Sequence, residues 1–173
     1  METIKVGQQN WMKTNLNTDR FNNGDLILEA DTNEKWIEAL QKKEPVWCHY
    51  QNHSEYGTKY GKIYNVYAFY DPRGLAPDGF SMPTQKDISA FYKGFFAKLF
   101  DLRTSNTDEF QKGGIRTGDG TFKYIDELGF YFCGNEKQSL SGFAVPNGIK
   151  IETQNGYYLG LKDNGRYIKC IKK

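Results

Sequence analysis

The residues that could act as nucleophiles or bases are few and scattered. The two histidines are His49 and His53, and the three cysteines are Cys48, Cys133 and Cys170. Nucleophilic catalysis needs a thiol or hydroxyl close to a base. Cys48 and His49 are consecutive, so in a strand their side chains point to opposite faces and cannot form such a pair. These residues do not predict a catalytic dyad, and we expect a protein that is not an enzyme.

Aromatic and amide side chains in polar loops are better suited to binding. Tyr, Trp and Asn can stack on sugars or anchor a protein contact at little cost in conformational entropy. Three loops, NHSEYGTKY, GNEKQS and TQNGYY, carry such residues where no core role is required. The candidate ligand-binding residues are Tyr56, Tyr60, Asn135, Asn155, Tyr157 and Tyr158. The alternative for each loop is that it is simply solvated.

Three charged residues lie in the stretch DPRGLAPDGF, which also contains two prolines and two glycines. The prolines fix φ and the glycines permit positive φ, which predicts a rigid turn. A carboxylate beside an arginine is usually neutralised by it rather than poised for acid–base catalysis. We therefore interpret Asp71, Arg73 and Asp78 as a structural clasp, with the rim of a polar pocket as the alternative.

The elements that position these residues start with short strands and one helix. TIKVGQQNWMKTNLNT predicts two strands joined by a turn at GQQN, and FNNGD predicts another turn before the apolar run LIL. Asp31 or Thr32 is placed to cap a first helix, NEKWIEALQKK, which has its apolar residues on one face. PVWCHYQN predicts a strand. KIYNVYAFY suits either a buried strand or one helical turn.

A second helix, TQKDISAFYKGFFAKLF, is predicted with Thr84 as its cap and Asp87 completing a capping box. Its apolar stripe is Ile88, Phe91, Phe95 and Leu99. Beyond it, turn residues separate the short runs TFKYI, GFYFCG, GIKIET, GYYLGL and RYIKCIKK. The last is predicted to be a strand whose alternating lysines face solvent or protect a sheet edge. The pattern predicts an α+β fold with two helices, a short-stranded, largely antiparallel sheet and long irregular loops.

Length and charge limit the class of protein. A chain of 173 residues fits one domain, 1–173, and a net charge of +2 provides no field to steer it to nucleic acid. No apolar run is long enough to insert into a membrane, and no signal peptide is visible at the start. A chain whose export signal had been removed would look the same.

Five blocks of the sequence, in order, resemble the Fibrobacter succinogenes major paralogous domain. They are IKVGQQNWMKTNLNTDRFNNGD, WCHYQN, YGKIYNVYAFYDPRGLAPDGFSMPT, GGIRTGDGTFKYIDELGFYF and GRYIKCIKK. The family has a cysteine where Ala76 stands and GWH in place of the GFS that starts at Gly79, so a bridge that could tie this loop is missing.

The resemblance implies a C-type-lectin-like fold, with paired terminal strands, two helices and a long irregular loop region as its binding face. Formylglycine-generating relatives use a pair of cysteines, for which Cys133 and Cys170 are the only candidates. Cys170 matches a core position of the family, so we expect a structural thiol or disulfide. VPNGIKIE is similar to the Glu-Pro-Asn sugar site of true C-type lectins, but Val145 replaces the acidic ligand. We expect no cofactor, with calcium as the alternative.

The expected function is a non-enzymatic binding or adhesion module that presents loops to a glycan or protein ligand. The alternative is a structural component of a larger assembly, such as a phage decoration or fibre protein, that contacts copies of itself or other subunits. The first implies an extracellular or cell-surface location after removal of an export signal, and the second implies a virion.

Overall fold

A computed structural model gives the fold. It describes residues 1–90, 110–134 and 163–173 with their side chains, and 141–146 by their backbone. These residues form short helices and three small sheets, which confirms the predicted α+β class. More helices are present than the two expected, and the strands divide among three sheets instead of one.

The helices are short. They are α1 (Asn33–Lys42), α2 (Glu55–Tyr60), α3 (Val66–Phe69) and a helix α4 of which 85–90 are described, with a 3-10 turn at Tyr50–Asn52. The strands are β1 (Thr3–Val6), β2 (Gln9–Met12), β3 (Leu28–Glu29), β4 (Val46–Cys48), β5 (Ile63–Tyr64), β6 (Phe80–Ser81), β7 (Gly113–Arg116), β8 (Phe122–Ile125), β9 (Leu128–Cys133), β10 (Ser141–Pro146) and β11 (Ile171–Lys172).

Helix α1 begins and ends where local chemistry predicts. The Oγ1 atom of Thr32 accepts a hydrogen bond from the Lys35 N–H at 3.2 Å, so Thr32 is the cap that α1 uses. Trp36 and Ala39 are the buried residues of its apolar face. Lys43, in left-handed conformation with φ 59°, ends the helix.

Helix α4 follows the capping box predicted for it. Thr84 donates its hydroxyl to Asp87 Oδ2 at 2.6 Å, and the Thr84 N–H donates to the same oxygen at 2.8 Å. Ile88 is fully buried. Phe91, Phe95 and Leu99, as well as all of GIKIET and GYYLGL, lie outside the described residues.

The three sheets have the strand orders β1-β2-β11-β6, β10-β9-β7-β8 and β3-β4-β5. The predicted N-terminal hairpin is present, and Ile171 of the last strand pairs with both Trp11 and Ser81. Pairing is antiparallel throughout, apart from β3 with β4 and β7 with β9 among the described strands. The N-terminal and C-terminal strands therefore lie side by side.

The segment KIYNVYAFY, predicted to be either a strand or a helical turn, contains both, because β5 is followed after one residue by α3. The fully buried Asn65 makes the change of direction. Its side-chain oxygen accepts from the Val46 N–H at 3.2 Å and the Ala68 N–H at 2.9 Å, and its amide donates to Glu44 O at 2.7 Å. One side chain thus joins a strand to a helix cap.

Three long cationic side chains, those of Arg116, Arg166 and Lys169, are buried among the described residues. The guanidinium of Arg116, in the block GGIRTGDG, donates to Ala30 O at 2.7 Å and Thr32 O at 2.9 Å, and stacks on Trp36 at 4.7 Å. Lys169 also has no exposed surface, and its Nζ donates to Lys13 O at 2.8 Å. The prediction that the lysines of RYIKCIKK face solvent is wrong for Lys169, because the Lys13 carbonyl and the Gln111 side-chain oxygen, at 3.0 Å, accept from its ammonium inside the fold.

Candidate functional site

Helix α2 carries the two predicted tyrosines that the structure describes. It ends at Gly61, whose φ of 78° few other residues adopt. Tyr60 is only 2% exposed, so its ring belongs to the core and is not available for stacking on a ligand. Tyr56 lies one turn earlier and is partly exposed. Of the two, Tyr56 is therefore the ring that can meet a partner.

Other aromatic rings hold the Tyr56 ring in place. Its centroid lies 5.5 Å from that of Tyr50 in an edge-to-face arrangement, 6.1 Å from Tyr60 and 6.4 Å from His53. Tyr50 in turn lies 5.1 Å from Phe122 of β8. A ring fixed in this way loses little conformational freedom when it binds something.

Asp126 joins α2 to the turn between β8 and β9. Its Oδ1 atom accepts hydrogen bonds from the Tyr60 hydroxyl at 2.6 Å and from Lys59 Nζ at 3.0 Å. The bond from Tyr60, followed by that from Lys59, lowers the pKa of the Asp126 carboxyl. A carboxylate and an ammonium thus lie side by side at the end of α2. Sequence reasoning missed Asp126 because no local pattern connects residues so far apart in the chain.

The backbone around α2 contains several non-glycine residues with left-handed φ. They are Gln51 (52°), Asn52 (60°), Tyr124 (66°) and Asp126 (59°). Asn and Asp adopt this region more readily than Gln and Tyr do. Gly114 of β7 allows the close packing here, since a Cβ on it would lie 2.9 Å from the Tyr50 ring and 2.3 Å from Lys123 O. Unusual backbone of this kind is concentrated at binding and active sites.

We call the exposed part of this region the α2 surface; it consists of His53, Glu55, Tyr56, Lys59 and Asp126. His53 Nδ1 lies 3.6 Å from a Glu55 carboxylate oxygen. The surface therefore combines one aromatic ring with hydrogen-bond donors and acceptors of both charges. This combination suits non-covalent binding of a polar ligand.

The other four candidate ligand-binding residues, Asn135, Asn155, Tyr157 and Tyr158, lie outside the described residues. The same holds for Asn147 and Glu152 of the segment considered for calcium. In the described part of the chain, no three His, Cys, Asp or Glu side chains are grouped to hold a metal ion.

The turn at DPRG brings Asp71 and Arg73 together. Arg73 donates from Nε and Nη2 to the two carboxylate oxygens of Asp71, each at 2.9 Å, and from Nη1 to Asp25 Oδ2 at 3.0 Å. Its guanidinium also lies 4.0 Å from the Phe21 ring centroid. Asp78 is exposed and makes no ion pair with any described residue. The carboxylates around Arg73 are thus Asp71 and Asp25, a residue that sequence reasoning missed.

The thiols and the buried histidine are held in neutral forms. Cys48, Cys133 and Cys170 are free and buried, and burial raises the pKa of Cys48 to about 11 and of the other two to about 12. Burial, and then the charge of Lys62, lowers the pKa of His49. These groups are poor nucleophiles and carry little charge at neutral pH.

No helix in the described residues is long and apolar enough to cross a membrane.

Comparison with known proteins identifies the family. No curated protein and no solved structure matches the chain. A family model described as the Fibrobacter succinogenes major domain matches residues 4–167, from the first strand to the segment that precedes the last one. The chain therefore belongs to the Fibrobacter succinogenes major domain family.

Proposed function

We propose that this protein is a non-enzymatic binding module, C-type-lectin-like in fold, that presents the α2 surface to a glycan or protein ligand. The observation that carries the proposal is the Tyr56 ring, partly exposed yet packed against Tyr50 and Tyr60. An aromatic ring bordered by hydrogen-bonding groups can stack on the apolar face of a sugar or on a protein side chain.

The charges around the ring support a polar ligand. Lys59 and His53 can donate hydrogen bonds, while Glu55 and Asp126 can accept them. The neutral, buried state of the three thiols supports binding over nucleophilic catalysis. We also propose that this module acts outside the cell or at the cell surface.

The test is a glycan array and a surface-protein pull-down with the full chain and with Tyr56→Ala. We expect the substitution to remove most binding, because truncating an aromatic hot-spot residue costs about 2 kcal/mol or more, roughly a thirtyfold loss. Tyr67→Ala is the matched control, since Tyr67 is also partly buried but packs against other core residues. Binding that both variants retain would overturn the role of Tyr56. A parallel array with chelator tests whether calcium contributes.

A second candidate function, a subunit of a larger assembly such as a virion, is favoured by two exposed leucines. Leu28 is 66% exposed in the edge strand β3, and Leu26, two residues before it, is 58% exposed. Exposed apolar side chains beside an open strand edge suit docking to another chain. Light scattering of the full chain and of Leu28→Lys tests this candidate. A monomer at all concentrations would count against it.

A further inference from the structure

A second group of polar side chains surrounds Trp47, on the sheet β3-β4-β5. Trp47 lies opposite Glu29 of β3 and Tyr64 of β5 in the strand register. Its indole N–H donates to Ile27 O at 2.8 Å, which fixes the ring. Trp47 is 7% exposed, whereas Trp11 and Trp36 have no exposed surface. It is thus the tryptophan nearest to solvent.

Lys62 lies over this indole. Its Nζ is 4.2 Å from the ring centroid and donates to Asn17 Oδ1 at 3.3 Å. Among the described residues, no carboxylate forms a salt bridge with it. An ammonium has three donors, so Lys62 can bond further acceptors. Its four-carbon stem is flexible enough to move off the ring.

His49 lies against the edge of the same indole, with ring centroids 5.1 Å apart. It is 9% exposed, and its Nδ1 has no hydrogen-bond partner among the described residues. Gly57 holds the imidazole from behind, since a Cβ there would lie 2.3 Å from its Cε1. Nδ1 is also on this side, 2.6 Å from that Cβ, so it faces α2 and His49 contributes its ring as a wall beside the indole.

Glu29 and Asn17 supply hydrogen-bond acceptors near Trp47. Glu29 lies opposite Trp47 in the neighbouring strand. Its negative charge and that of Asp19 both favour the protonated form of Lys62. Asn17 contributes an amide whose nitrogen donates to Gly57 O at 3.4 Å. Donors and acceptors of both signs around an indole suit a ligand with many hydroxyl groups, and the mixed charges favour a neutral one.

We propose that Trp47, with Lys62, Asn17 and Glu29 and with the His49 ring as a wall, forms a binding site for a neutral saccharide. The apolar face of the sugar ring stacks on the indole in the place that the Lys62 ammonium takes. Lys62 turns to donate to one hydroxyl, and Glu29 accepts from another. The site is built from residues other than those of the α2 surface and does not depend on the proposed function.

The experiment follows the three tryptophan indole N–H signals of the full chain by NMR, with Trp47→Phe used to assign one of them. Glucose, galactose, mannose and N-acetylglucosamine are the neutral probes, and glucuronate and glucosamine are charged counterparts. We expect a saturable shift of the Trp47 signal alone with at least one neutral sugar, in the millimolar range, and weaker binding of both charged probes.

Variants localise the effect. Glu29→Ala should weaken the binding about tenfold, as expected for a lost hydrogen bond to a charged group. Lys62→Met keeps the apolar stem and should also weaken the binding about tenfold, because the hydrogen-bond donor that it removes is charged. Glu44→Ala makes the same charge change at another exposed position and should leave it unchanged.

No shift of the Trp47 signal with any neutral sugar would overturn the site, as would equal shifts of all three signals. Tighter binding of glucuronate would overturn the neutral class of ligand. Tyr56→Ala separates the two proposals, because it should abolish binding at the α2 surface and leave the Trp47 shift intact.

Discussion

At the scale of single residues, the three thiols give the most direct measurement. Cys48, Cys133 and Cys170 are fully buried and unbridged. We predict that none reacts with an aromatic disulfide reagent at pH 8 in the folded protein, and that all three react in denaturant. The thiolate is the reactive form, and burial both blocks access and raises each pKa. Rapid reaction of one thiol in the folded chain would contradict this.

The same thiols predict how stability changes at alkaline pH. Each folded pKa, about 11 or 12, is raised above the ordinary value of 9.0. The unfolded chain therefore loses these protons first, and the free energy of unfolding should be intact below pH 9 and fall between pH 9 and 12. Urea unfolding over this range measures it, and replacing Cys170 with Ala should make the fall shallower.

At the scale of elements, the turn that contains Arg73 can be tested against a nearby arginine. Arg73→Ala should lower the melting temperature, because it removes the bidentate pair with Asp71, the bond to Asp25 and the contact with Phe21. Arg20→Ala is the control, since exposed Arg20 makes one bond to Gly24 O at 2.8 Å. Equal effects of the two substitutions would count against a structural role for the turn.

Gly57 tests how tightly α2 packs on His49, the residue that follows β4. In an open helix, Gly→Ala stabilises by roughly 0.5–1 kcal/mol. Here the new Cβ would lie 2.3 Å from His49 Cε1, and overpacking costs about 1–3 kcal/mol, so Gly57→Ala should lower the free energy of unfolding. Thr58→Ala, one residue on and exposed, should be nearly neutral or stabilising. Greater stability of Gly57→Ala than of the natural chain would refute this packing.

Elements with a local signal were predictable from the sequence, and contacts between distant residues were not. The cap of α1 at Thr32 and the capping box of Thr84 with Asp87 involve residues close together in the chain, so the local sequence is enough to predict them. By contrast, Tyr60 bonds Asp126 across 66 residues, and buried Arg116 bonds the Ala30 carbonyl across 86. That Tyr60 is buried and Tyr56 partly exposed depends on such distant packing, which composition alone does not indicate.

At the scale of the whole molecule, the segment 165–172 connects all three sheets. Ile171 pairs with β2 and β6, Arg166 bridges to Tyr64 of β5, and Tyr167 bridges to Tyr131 of β9. Its carbonyls accept hydrogen bonds from the Met12, Tyr64 and Phe132 N–H groups, at 2.9, 2.9 and 3.0 Å, one in each sheet. The sheets share few other backbone bonds among the described residues, so this segment should make them unfold together.

Tyr167→Ala tests that cooperativity. The residue is fully buried, and its hydroxyl donates to Gly113 O at 2.9 Å, so truncation should cost about 3–5 kcal/mol. Hydrogen exchange at Met12, Tyr64 and Phe132 should then accelerate by the same factor, because one opening exposes all three amides. Tyr167→Phe, which removes only the hydroxyl, should give a smaller and equally uniform change. Acceleration at Phe132 alone would mean that the sheet containing β9 opens by itself, and that segment 165–172 does not couple the three.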